Sequence, residues 1–222
     1  MANQRLVWDL ASERKYTYGV SQGVLYTMGD TGEYETGVVW NGLVNVSDKP
    51  EGGDATKLYA DGIYYADIPN VEQYKMSLEA YMYPDEFSKC DGTAEPEVGV
   101  RMGQQRRKKF GMSWRTEIGN ANTDSLGYVI HVAYGLRAAP SERSYDTVNE
   151  SAEAKTLSWD VDGTPVSVAG YKPSCKLEFD STKLSAGKMK ALENLLYGSE
   201  AAAAKLPTPD ELFAAIKGAS EL

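Results

Sequence analysis

Residues 110–145 read FGMSWRTEIGNANTDSLGYVIHVAYGLRAAPSERSY, and their pattern decides the fold class. Over 112–118, Met112, Trp114, Thr116 and Ile118 fall on one face while Ser113, Arg115 and Glu117 fall on the other. Side chains that alternate with period two mark a half-buried strand. Over 128–137 the run is nearly all apolar or aromatic. That fits a central strand covered on both faces, or one packed against another subunit. Gly, Asn, Thr, Asp and Ser crowd the stretch between the two runs, so a hairpin at the heart of a β-sheet domain is expected.

The rest of the composition agrees. A chain of 222 residues can bury one sizeable core and carry an appendage. Its 15 Tyr and 21 Gly suit an all-β domain with many turns. A formal charge of −9 argues against a general nucleic-acid surface, which needs excess Lys and Arg for phosphates. It does not argue against DNA that slides past, because a like-charged wall offers a polyanion no place to stick. Cys90 and Cys175 form no CxxC and have no neighbouring His, so zinc is not expected. Free thiols in a reducing cytoplasm are expected, with a single disulfide as the alternative. The N-terminal residues show no apolar leader, and no apolar run nears the ~20 residues that span a bilayer. Cytoplasmic synthesis and no membrane contact are therefore expected.

Along the chain, Tyr16-Thr17-Tyr18 suggests a first strand, and 19–37 reads as a loop with room for one short strand, holding Val24, Leu25 and Tyr26 as an island. Residues 38–46 read as one strand with Val38, Trp40, Gly42, Val44 and Val46 on a shared face, Trp40 being core. The irregular segment 47–70 carries Leu58, Tyr59, Ile63, Tyr64 and Tyr65 around Asp61-Gly62, a hairpin-turn signal. This hairpin either covers the core or is an arm that docks on another subunit. Residues 72–83 alternate as a strand, with Tyr74, Met76, Leu78, Ala80 and Met82 on one face. Pro84-Asp85-Glu86-Phe87 suits a short helical turn, and 88–102, with Cys90, reads as a surface loop. Arg106-Arg107-Lys108-Lys109 is the one dense basic run: a solvated flank, or failing that an inter-subunit salt-bridge partner ahead of a phosphate site. Leu157, Trp159 and Val161 mark a further strand within 151–169, and Leu177 and Phe179 share a side of a short one. Residues 185–197 form the best helix, capped by Ser185, striped by Met189, Leu192, Leu195 and Leu196 and stopped by Gly198. Residues 199–222 look detachable: a small-residue linker, a capping box at Thr208-Pro209-Asp210-Glu211, then a short helix bearing Leu212, Phe213 and Ile216. That helix should dock on its own subunit or on a neighbour.

No catalytic constellation stands out, and the chain is not expected to be an enzyme or to hold a cofactor or metal. His131 is the single histidine, read as a hydrogen-bonded packing residue of its strand. There is no GxSxG, no P-loop and no HExxH. Asp54, Asp61, Asp67, Asp91, Asp160 and Asp162 all stand beside turn residues, where Asp ordinarily bonds its own backbone. Asp160-Val161-Asp162-Gly163 lacks the distant Glu of a calcium loop.

Several runs resemble the major tail (tail tube) proteins of long-tailed, non-contractile phages and prophages of Gram-positive bacteria. They are KYTYGVSQGVLY at 15–26, GVVWNGL at 37–43, TKLYAD at 56–61, EAYMYPDEF at 79–87, the whole of 110–145, SWDV at 158–161, LENLLYG at 192–198 and LPTPD at 206–210. The basic tetrad 106–109 is heavier than the resemblance leads one to expect. The resemblance implies a tail-tube β-sandwich or barrel core over 1–198 with one flanking helix, and a linker and short C-terminal helix over 199–222. It implies hexameric rings stacked into a tube around a tape measure protein, joined to tail terminator and baseplate or distal tail proteins, with DNA passing through the lumen unbound at genome ejection. The virion tail would be its location, after assembly in the host cytoplasm. On this reading Leu58, Tyr59, Ile63, Tyr64, Tyr65, Leu212, Phe213 and Ile216 are candidates for the subunit interface, and Arg115 and Glu117 for lumen or interface charges. The alternative is a monomeric β-sandwich module that binds a ligand such as carbohydrate through Tyr and Trp faces.

Overall fold

A computed structural model describes residues 5–145, 147 and 154–219. It is mainly β. In chain order the strands are β1 (Lys15–Thr27), β2 (Val38–Trp40), β3 (Leu43–Asp48), β4 (Glu51–Gly52), β5 (Thr56–Ala60), β6 (Ile63–Ile68), β7 (Glu72–Gln73) and β8 (Lys75–Ala80). There follow β9 (Ala94–Glu97), β10 (Val100–Met102), β11 (Phe110–Asn120), β12 (Thr123–Ala138), β13 (Leu157–Gly163) and β14 (Lys176–Asp180). Two helices close the chain, α1 (Ala186–Leu196) and α2 (Pro209–Gly218). Short 3-10 turns lie at Ala11–Glu13 and Asp85–Lys89. Residues 1–4 and 151–153, part of the expected N-terminal reading and of the expected 151–169 segment, lie outside the described residues, as do 220–222.

The expected hairpin is β11–β12, and it is longer than its apolar runs. Asn120 pairs with Thr123, so the polar residues Thr123, Asp124 and Ser125 belong to the strand rather than the turn. On its other edge β11 pairs with β1 from Lys15↔Asn120 to Thr27↔Phe110. The outer edge of β12 is divided: Val129–Ala133 pairs with β14, while Leu136–Ala138 pairs with β13. From β13 the sheet passes to β8 and then β3. β2 pairs with β1 and β3 with β8, and only Asn41-Gly42 separates them. The bent strand 38–48 thus joins the two ends of the sheet, and the path closes as a barrel.

Both faces of β12 are covered, as expected, and by this chain's own elements. Ala133, Leu136 and Ala138 point inward with Leu25, Trp40, Leu78, Met112, Trp114 and Trp159. Ile130, Val132 and Tyr134 point outward beneath α1 and α2, with Tyr26, Leu192, Leu196 and Leu212. Tyr26 fixes the helix layer: its hydroxyl donates to the Leu196 carbonyl (2.6 Å) and lies 3.2 Å from Ser113 Oγ. The change of face between Tyr134 and Leu136 needs an extra residue. Two residues, Tyr134 and Gly135, oppose the single Gly111 between the pairs Met112↔Ala133 and Phe110↔Leu136. Gly135 takes φ +61°, and its N–H leaves the ladder to donate to the Tyr34 hydroxyl at 2.8 Å. This is a β-bulge that turns one strand from the β14 layer into the barrel.

Several local expectations are corrected. Over 19–37, expected as a loop with one short strand, the strand present is the continuation of β1, which runs through to Thr27 and absorbs Gly19 and Gln22 as bulges with positive φ. The strand expected over 38–46 breaks at Gly42 (φ +81°), so Leu43 packs on the core and Val44 faces out, the reverse of a continuous strand. Met82, expected to share a face with Met76, Leu78 and Ala80, lies beyond the end of β8 and is exposed. The surface loop expected over 88–102 holds Cys90, which is fully buried with Phe87 as a plug in the barrel end, and the ribbon β9–β10. Burial pushes the Cys90 thiol up to about 12 and Cys175 up to about 11, and both are free. Ser185 precedes α1 without capping it; its hydroxyl is buried and unpaired. The capping box at Thr208 forms as read, with the Thr208 N–H donating to Glu211 Oε2 at 2.9 Å. The helix that looked detachable is docked on its own sheet through Leu212, with Phe213 and Ile216 half-buried against the same cluster. The Tyr134 hydroxyl anchors the approach to it by donating to the Pro207 carbonyl at 3.1 Å.

A Cβ at residue 135 would stand 2.3 Å from the Thr164 carbonyl oxygen. Left-handed strain and this clash together should make Gly135→Ala cost about 2–4 kcal/mol in urea unfolding, whereas Gly103→Ala, with open space around it, should be near neutral.

Candidate functional site

The barrel mouth beside β14 carries a polar network that single-strand reading could not assemble. His131 stacks on Trp114 at 5.2 Å with the planes 9° apart. Its Nδ1 lies 3.1 Å from Glu178 Oε1 and its Nε2 lies 2.9 Å from Thr116 Oγ1. A carboxylate only accepts, so Nδ1 carries the proton, and Nε2 accepts from the Thr116 hydroxyl. Burial lowers the His131 pKa, and the Lys176 ammonium lowers it further against the pull of Glu178 and Asp48. Lys176 Nζ lies 2.7 Å from Glu178 and also pairs with Asp48, which accepts from the Tyr74 hydroxyl at 2.7 Å. Each of these groups is satisfied by another within the network. His131 is the hydrogen-bonded packing residue expected, with partners the linear sequence hid on β14. Among the described residues no cluster of three or more His, Cys, Asp or Glu side chains is placed to hold a metal, and no helix is long and apolar enough to cross a membrane.

Arg115 and Glu117 lie on the helix side of β11. Arg115 Nε donates to Glu117 Oε1 at 2.8 Å, and its guanidinium lies 3.7 Å from the centroid of the Tyr128 ring. The Tyr128 hydroxyl donates to Glu193 of α1 at 2.7 Å. Burial and that bond push the Tyr128 phenol up to about 12. The two charges therefore serve each other and the α1 contact within this subunit, with a minor part of each side chain exposed.

The remaining candidates fall into two groups. Leu212 is buried in this chain's own core, while Phe213 and Ile216 keep an outer side. Leu58, Tyr59, Ile63, Tyr64 and Tyr65 stand together on the β5–β6 hairpin, and all five are exposed, Ile63 by 66% and Tyr65 by 71%. Asp61 (φ +52°) and Gly62 (φ +78°) form the turn with both residues left-handed, as the Asp-Gly signal requires. The hairpin stands on the two-residue ribbon β4–β7 and forms its own sheet, apart from the barrel. It is an arm and does not cover the core. With Ile68 and Val71 the segment exposes seven apolar or aromatic side chains, Tyr59 and Tyr64 paired on one face of the hairpin and Ile63 and Tyr65 on the other.

Two further features accompany the arm. Leu6, Val7, Trp8 and Leu10 are all exposed ahead of β1. The barrel leaves strand edges open: residues 15–20 of β1 pair only with β11, and residues 123–127 of β12 likewise. Such edges are templates for another chain.

At the plugged end, sequence reading missed Asp91. It is no turn aspartate: its carboxylate accepts from Trp159 Nε1 at 3.0 Å and pairs with Arg143, which holds residues 139–145 across the plug. A conspicuous signal was lacking, because the partners lie 52 and 68 residues away.

No family model matches the chain, and no curated protein matches it. Among solved structures, a chain of the sheath-tube complex of an extracellular contractile injection system, PVC, in its extended state, is similar over 72% of this chain and 88% of that one. The identity is 10% and the TM-score 0.36. An overlap of that size carries no argument about fold or function.

The network around His131 sets a pH dependence. Its folded pKa lies below the ordinary 6.5, so the unfolded chain takes the proton first; that share of stability is whole above pH 6.5 and is lost as pH falls through the folded value. Glu178, held below 4.5 chiefly by its bond to Lys176, loses its share at lower pH in the same direction. Urea midpoints should fall from pH 6.5 to 5, and His131→Gln should flatten that fall. Equal slopes in the two proteins would remove His131 as the cause.

Proposed function

We propose that this chain is a structural subunit of a phage-type tail tube, which self-associates into stacked rings. The observation that carries the proposal is the β5–β6 arm, a hairpin that forms its own sheet and whose apolar and aromatic residues are exposed on the subunit. A solvated monomer gains nothing from such an arm, and its burial against a second copy would offset the ordering cost of assembly. The open edges of β1 and β12 suit side-by-side pairing into one continuous sheet, and the arm suits contact between rings. The ordered runs of residues that resemble tail tube proteins point the same way. Hexameric rings, a tape measure protein in the lumen, and terminator and distal tail proteins at the ends complete the reading. A chain of net charge −9 would line a passage to which DNA does not adhere. No enzymatic role is proposed.

The arm supplies the test. Replacing residues 56–68 by a short Gly-Ser linker should leave the thermal midpoint within about 2 °C, because the arm forms its own sheet. It should abolish the rings or tubes that the intact protein forms in negative-stain images at high concentration. An intact protein that stays monomeric at every concentration would favour the monomeric binding module.

A further inference from the structure

At the plugged end of the barrel lies an open recess of about 640 Å³, lined by Arg106, Arg107, Lys108, Lys109 and Arg137, with Asp30 as its one acidic residue. Five cations around one recess are unusual in a chain of net charge −9. Within the subunit they are only partly answered. Lys108 pairs with Asp30 at 2.9 Å, Lys109 donates to Thr164, and Arg107 donates to the Asp91 carbonyl while its Nε is buried without a partner. Arg106 and Arg137 are exposed and have no ion-pair partner among the described residues. Like charges gathered in a partly desolvated recess repel one another, so the recess favours an anionic occupant.

We infer that this recess receives the carboxylate-bearing tip of the β5–β6 arm of a second copy of the chain. The inference rests on the self-association reading and names the receiving surface for its arm. Charge complementarity supports it: the tip presents an exposed Asp61 on a left-handed turn, while Asp67, toward the base of β6, lies opposite Lys57. Tyr64 and Tyr65 beside them offer faces on which Arg106 and Arg137 can lie, as Arg115 already lies on Tyr128 within the subunit. Topology supports it as well. The arm leaves the barrel where β3 ends and β8 begins. The basic run lies at the other end, past the end of β8, where the Lys108 N–H donates to the Lys89 carbonyl and the Gln105 N–H to that of Gly92. Donor and acceptor at opposite ends of one subunit cannot satisfy each other within it. Between copies they generate a head-to-tail contact that repeats without closing, which is what a stack requires.

The test uses the full chain and charge reversal. Arg106→Glu/Arg137→Glu and Asp61→Lys change exposed residues, and unchanged circular dichroism and thermal midpoints serve as the folding check. Each should raise the concentration needed for sedimenting polymer by about tenfold or more, and the protein carrying all three should recover most of that loss. Asp61→Asn, which keeps the turn, should show an intermediate effect. Wild-type assembly in the Arg106→Glu/Arg137→Glu protein overturns this inference alone, and so does failure of the triple substitution to restore polymer. An unsubstituted protein that never polymerises overturns the self-association reading and this inference with it.

Discussion

The fold depends on one strand serving two layers. β12 keeps an unbroken partner in β11 along one edge while its other edge passes from β14 to β13 at the Gly135 bulge. Without the extra residue the inward face of the first half would continue as the inward face of the second, and Leu136 and Ala138 would be driven out of the barrel. With it, Ile130, Val132 and Tyr134 lie under the helices while Leu136 and Ala138 join Trp40 and Trp159 in the barrel. The two cores are therefore fixed against each other by one backbone. The helices are positioned by the same sheet, through Tyr26 and Tyr134, whose hydroxyls bond the Leu196 and Pro207 carbonyls.

That arrangement explains which parts of the fold were legible in the sequence. Alternation over 112–118 and the apolar run over 128–137 announce strands because their faces are set by neighbours on the same sheet. The Asp61-Gly62 turn, the capping box at Thr208 and the stripe of α1 are local devices, and local sequence contains them. The bulges of β1 and the break at Gly42 escaped, because Gly and Gln in a strand pattern read equally as loop until the partner strand is known. Cys90 escaped because a plug segment borrows its burial from the barrel it enters. Ser185 shows the converse: a good capping residue at the right place whose hydroxyl makes no cap.

The candidate site was legible by composition and not by contact. The aromatic residues of the arm could be named from 58–65, but only the fold shows that they project, since the same sequence would serve equally to cover a core. Arg115 and Glu117 could be placed on a face; their closure onto each other and onto Tyr128 depends on α1. The network of His131, Glu178, Lys176 and Asp48 joins residues as much as 128 positions apart and had no linear signal at all.

What the subunit leaves unfinished is as specific as what it completes. Its interior is closed at both layers, yet an apolar arm, an apolar N-terminal segment and two lengths of strand edge face water. The most direct measurement of whether a second copy completes them is hydrogen exchange on the intact protein at low and high concentration, read by mass spectrometry. The account predicts that amides of 56–68 and 15–20 gain protection as concentration rises, while those of β11, already paired on both edges, do not change. Exchange in both segments that is fast and independent of concentration, in a sample where the core is protected, would contradict it.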